Sequence, residues 1–168
     1  PDAPAAPMRR EMSAKVVVAV VGPDHGGSTM LGAMLASHAD WKKHAHVGEF
    51  HALFNEATRF ATTLRCVQNE APCPVWSNFP KTSRTPHQDF MALHGLERVI
   101  DSSKRTDWFD AIPKDVELRV VYVWRDPESI RRSYQHRFPP FEAEVKYAAQ
   151  VTKFKRDLQW LARRKQKY

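Results

Sequence analysis

The stretch Val16–Leu31, VVVAVVGPDHGGSTML, decides how the chain is read. A run of β-branched residues over Lys15–Val21 is what a parallel strand buried on both faces needs. It breaks at Gly22, turns through five residues, and resumes at Ser28 with Met30, Leu31, Met34 and Leu35 at helical spacing, fading by Ser37-His38. Gly22-x4-Gly27-Ser28-Thr29 fits the phosphate-cradling frame G-x-x-x-x-G-K-[ST] except at its lysine, where Ser28 stands. Gly26 and Gly27 permit positive φ and close ligand approach, and the N–H groups and dipole at the start of the following helix attract an anion. The alternative is a strand-to-helix turn packed for topology alone.

Working outward, ERVID (97–101) is a second strand running into the polar DSSK, and Leu118–Trp124 a third, buried strand. Asp126 then suits a helix N-cap and Pro127 the first helical position. Tyr147, Val151, Phe154, Leu158 and Leu161 form an apolar stripe on a long C-terminal helix over 142–168. Residues 44–62 read as a weakly amphipathic helix or helix-loop. Residues 65–95, with four prolines and little periodicity, read as an irregular insertion. Strands alternating with helices predict a three-layer α/β/α fold with a central parallel sheet, and ligands at the carboxyl ends of the strands. The polar clusters 22–29, 101–104 and 125–126 fall at those ends.

The 168 residues suit one domain over 15–168 behind a Pro/Ala-rich tail, 1–14. With 42% hydrophobic and 27% charged residues the composition is globular rather than disordered. The longest apolar run is too short to span a membrane and no signal-peptide pattern is present, which favours a cytoplasmic setting. A net charge of +7 favours anionic partners. Much of it is late: residues 142–168 hold eight Lys/Arg against three Asp/Glu. Cys66 and Cys73 cannot complete a structural zinc site alone, and disulfide and free thiols both stay open.

VWRDPESIRRSY (123–134) places Arg125 at a strand end and Ser133 in the next helix, a fork and a hydroxyl suited to a second phosphate. A Gly/Ser/Thr-rich loop after the first strand, then DSSK, then RDPxxxxxSY, resembles the sulfotransferases that use 3'-phosphoadenosine 5'-phosphosulfate (PAPS). CPVW (73–76) also looks like a segment of some bacterial relatives. The resemblance spans about 15–137 and implies a P-loop-like sulfotransferase fold. Carried over, it puts Gly26, Gly27, Ser28 and Thr29 on the 5'-phosphosulfate, and Arg125 and Ser133 on the 3'-phosphate. It implies metal-independent transfer of a sulfuryl group to a hydroxyl or amine acceptor, a small molecule, glycan or peptide, with no specific nucleic-acid partner. Ser28 in the lysine position is expected of that family.

The same resemblance makes Glu49, in HVGEFH, the base, with His46 and His51 as rivals, and Lys104 the cation at the leaving oxygen, with Asp101 orienting it or capping the turn. Two departures accompany it. His25, followed by Gly26, stands where the family carries Lys or Arg, so His25 is the cation there if protonated. The chain also stops where members usually continue with another strand and a basic-Gly loop over the nucleotide, as in a short or truncated member. Two further readings stay open: a P-loop kinase or NTPase with Asp101 as a magnesium-site aspartate, and a non-catalytic basic module binding polyanions through the C-terminal helix.

Overall fold

A computed structural model describes residues 15–38, 44–46, 48–50, 54, 78–80 and 82–165. β1 (Val16–Val21) lies between β3 (Arg98–Asp101) and β4 (Glu117–Tyr122), and β2 (His44–His46) flanks β3, giving the order β2-β3-β1-β4. All three pairings are parallel, with Val16 opposite both Arg98 and Glu117. Every residue of β1 is buried, as its β-branched run requires.

Helices cover both faces. Val16, Val18, Val20 and Ile100 meet Leu31 and Leu35 of α1 (Ser28–Ser37). On the opposite face Val17, Ala19, Val21 and Val99 meet three further helices. Phe90 and Met91 come from α2 (Pro86–Leu93), Phe109 from α3 (Thr106–Phe109), and Trp160 from α5 (Pro140–Lys165). A smaller cluster joins Ile130 and Tyr134 of α4 (Pro127–Gln135) to Ala143 of α5. At about 1.5–3 kcal/mol per fully buried aliphatic or aromatic side chain, this two-sided burial is the main driving force. The fold is therefore α/β, with a small parallel sheet between helices. Among the described residues no helix is long and apolar enough to cross a membrane.

Several expectations are corrected. Residues 44–46, read within a helix, form an edge strand, because parallel pairing to β3 outweighs a weak local pattern. The stretch read as irregular over 65–95 contains α2, opened by Pro86 at its first turn. β4 is an edge strand and only half-buried. On α1, Met30 and Met34 face outward while Leu31 and Leu35 pack on the sheet. The C-terminal helix keeps part of its expected stripe: Tyr147, Phe154 and Leu161 are half-buried and packed, whereas Val151 and Leu158 are exposed and Asp157 and Trp160 are buried. The tail 1–14, Cys66 and Cys73 lie outside the described residues.

Gly22 fixes how the loop leaves β1. Its φ is +145°, and a Cβ there would sit 2.5 Å from the Val123 carbonyl oxygen, on backbone that cannot give way cheaply. Gly22→Ala is expected to cost about 2–4 kcal/mol in urea denaturation. Gly95→Ala, whose added methyl meets nothing within 4 Å, is expected to cost only the left-handed backbone penalty of about 1 kcal/mol.

Candidate functional site

The loop after β1 folds back on itself. Gly26 N–H donates to Pro23 O at 3.1 Å, and Gly27 (φ +95°) turns the chain into α1, where Leu31 N–H reaches Gly27 O at 3.0 Å. The N-cap is Gly27, which has no side chain to cap α1, and among the described residues the N–H groups of its first turn meet no acceptor. Ser28 is buried and Thr29 exposed at that turn.

β3 ends beside this loop, and its last residue organises the turn into Lys104. The fully buried Asp101 carboxylate accepts from Ser103 N–H at 2.8 Å, from the Ser103 hydroxyl at 2.5 Å and from Phe50 N–H at 3.3 Å. Trp108 Nε1–H lies 3.2 Å from its other oxygen, and the buried His87 Nε2 2.7 Å. Ser102 N–H meanwhile donates to Gly48 O at 2.7 Å. These bonds hold the segments on either side of Glu49 and before Lys104 against each other.

As a result Lys104 Nζ stands 2.7 Å from Glu49 Oε1 and 3.7 Å from Asp24 Oδ1. The lysine side chain is 13% exposed and the glutamate 50%, so the pair opens to solvent on its acidic side. Asp101 caps the turn and does not touch Lys104 among the described contacts. Among the described residues His25 and Lys104, each with φ of 59°, are the only non-glycine residues at positive φ. Such strain concentrates where a site is held in a working geometry.

α5 braces the loop from the side. Gln150 and Asp24 exchange two hydrogen bonds, Asp24 N–H to Gln150 Oε1 at 3.0 Å and Gln150 Nε2 to Asp24 Oδ2 at 2.9 Å. One turn on, Lys153 Nζ donates to Gly22 O at 3.0 Å and to Asp157 Oδ2 at 2.5 Å. Burial pushes the Asp157 carboxyl up from its ordinary value, against the opposing pull of Lys153. Arg125, exposed at the end of β4, donates through Nη1 to His25 O at 2.5 Å. Asp126 accepts from Ser129 N–H at 2.8 Å and Pro127 opens α4, the cap and first position read from RDP.

Glu49 and Lys104 therefore meet, and Arg125 reaches the loop that bears Gly26, Gly27, Ser28 and Thr29. Ser133 lies half-buried near the far end of α4, and no hydrogen bond joins it to Arg125. The side chain of His46, and His51 altogether, lie outside the described residues. Asp24, Gln150, Lys153, His87 and Trp108 escaped the sequence reading. The Lys153–Asp157 spacing is an ordinary i, i+4 pair, and nothing local says that it serves a loop 131 residues away.

No family model matches the chain, and neither a curated protein nor a solved structure does.

His25 sits in this loop among charged neighbours. Burial, then the positive charge of Arg137, hold its imidazole below the ordinary 6.5, and Asp24 offsets this only in part. Its ring meets Tyr134 edge-on with centroids 4.9 Å apart, and burial drives that phenol up to about 12. Without a bound anion the charged form of the imidazole is disfavoured, and an anion at the loop would act the other way. A histidine whose folded pKa lies below its unfolded value contributes stability that is fully present above pH 6.5 and lost as pH falls through the folded value. The His25 ring protons are expected to titrate with an NMR midpoint below 6.5, and His25→Gln to remove this acid-side loss. A midpoint above 6.5 would contradict the assignment.

Proposed function

We propose that the crevice at the carboxyl end of the sheet binds PAPS, and that the chain transfers its sulfuryl group to a hydroxyl or amine acceptor without a metal. One observation carries the reading: the uncapped start of α1 lies on a glycine loop beside the Glu49–Lys104 pair. The open N–H groups and hydroxyls of Ser28 and Thr29, with Gly26 and Gly27 allowing close approach, suit the phosphosulfate. Arg125 uses one guanidinium nitrogen on His25 O and keeps further donors for the 3'-phosphate, with Ser133 on the same unit.

In the transfer, Glu49 takes the acceptor proton as the acceptor oxygen or nitrogen bonds to sulfur. The bond from sulfur to the bridging phosphate oxygen breaks, and 3'-phosphoadenosine 5'-phosphate (PAP) leaves. Lys104 neutralises the charge on the departing oxygen. The existing Glu49–Lys104 hydrogen bond uses one glutamate oxygen and leaves the other for the acceptor. Lys153, paired with Asp157, donates to Gly22 O behind the loop, in the region where the loop lacks a lysine.

Two features weigh against the kinase reading. Ser28 replaces the lysine that would meet a triphosphate. The Asp101 carboxylate is filled by protein donors, leaving it little capacity for magnesium. Calorimetry tests the proposal: PAP is expected to bind equally with and without Mg²⁺, and more tightly than ATP. Arg125→Ala is expected to weaken PAP by about 1.5–3 kcal/mol. Mg²⁺-dependent ATP binding with no response to PAP would overturn the reading in favour of a kinase-type site.

A further inference from the structure

At the amino end of the sheet, opposite that crevice, the turn leading into β4 and the last turns of α5 enclose a cavity of about 370 Å³. Ile112, Leu118 and the buried Trp160 give it an apolar floor. Three cations line it, Lys114, Arg163 and Arg164, against a single carboxylate, Asp110. That carboxylate already accepts from Trp160 Nε1–H at 2.7 Å.

The cations are poorly matched by the protein. Arg164 stacks over the Trp160 ring, its guanidinium carbon 4.8 Å from the centroid. Its Nη2 lies 3.4 Å from Phe109 O and 4.0 Å from Asp110 Oδ1, at and beyond the reach of a good hydrogen bond, and its buried Nε has no partner. Lys114 and Arg163 are exposed and make no hydrogen bond or ion pair among the described residues. Several under-used donors above an aromatic and aliphatic floor are the mixture by which concave sites hold amphiphilic anions.

We propose that this cavity binds a compact organic anion, a phosphate or sulfate monoester with an aromatic or short apolar body. The anion lies between Lys114, Arg163 and Arg164, and the body lies on the floor beside Trp160. The site is separate from the crevice that holds Ser28 and Arg125 and does not depend on the sulfuryl-transfer reading.

An NMR titration of the full chain tests it, with phenyl phosphate and phenyl sulfate as probes and inorganic phosphate and phenol as the separated halves. Saturable shifts are expected at the Trp160 indole N–H and at the Lys114 and Arg163 amides. Inorganic phosphate is expected to bind about tenfold more weakly, and phenol not to shift these signals. Lys114→Ala with Arg163→Ala, both exposed and outside the core, should lower affinity about tenfold or more. Arg125→Ala, at the other end of the sheet, should leave that affinity as it was. Undiminished binding by the double variant, equal affinity for inorganic phosphate, or shifts confined to Ser28 and Thr29 would each overturn the proposal.

Discussion

The crevice depends on one buried carboxylate. Asp101 ends the strand next to β1, is sealed from solvent, and gathers backbone, hydroxyl, indole and imidazole donors from Phe50, Ser103, Trp108 and His87. An ionised carboxylate without those donors would be too costly to bury, and the donors without it would be orphaned. The two needs are met together only when the segment around Glu49, the turn before Lys104, α2 and α3 all converge on the end of β3. Phe50, stacked among Phe79, His87 and Phe90, seals the cluster with apolar contact. The Glu49–Lys104 pair is therefore held by a neighbouring group that touches neither of its members.

The second constraint is the long last helix. α5 buries Trp160 against the sheet and turns Gln150, Lys153 and Asp157 inward, so its polar residues brace the β1 loop. Lys153, paired with Asp157, stands behind the loop, while burial and neighbouring cations disfavour the charged form of His25 in front of it. Around the β1 loop the α1 N-terminus, Lys104, Arg125 and Lys153 are positive, and Asp24, Glu49 and Asp157 oppose them. Asp24 is turned partly toward Gln150, with which it exchanges two hydrogen bonds.

Much of this was legible from residues alone because it is local. The β-branched run of β1, the glycine turn, the start of α1 at Ser28 and the Asp126-Pro127 cap each follow from backbone and side-chain chemistry within a few positions. The features that escaped were tertiary. The HAH edge strand exists only because β3 offers it a partner, and α2 interrupts a proline-rich stretch whose helical period is short. The apolar stripe of the last helix located Tyr147, Phe154 and Leu161 on the packed side but missed Asp157 and Trp160, because polar side chains carry contacts there that spacing does not show. The Glu49–Lys104 meeting was expected only as two roles in one site, and Asp24 had no local signal at all.

On the proposed reading, the first turn of α1 and Arg125 together hold a nucleotide carrying two separated phosphates. Titrating the isotope-labelled chain with PAP in magnesium-free buffer, and following the Gly27, Ser28 and Thr29 amides with the Arg125 side-chain Nε–H, tests it directly. The account predicts that all four signals move and saturate with one shared dissociation constant. Loop amides that stay still while Arg125 moves, or signals that respond only to ATP with magnesium, would contradict it.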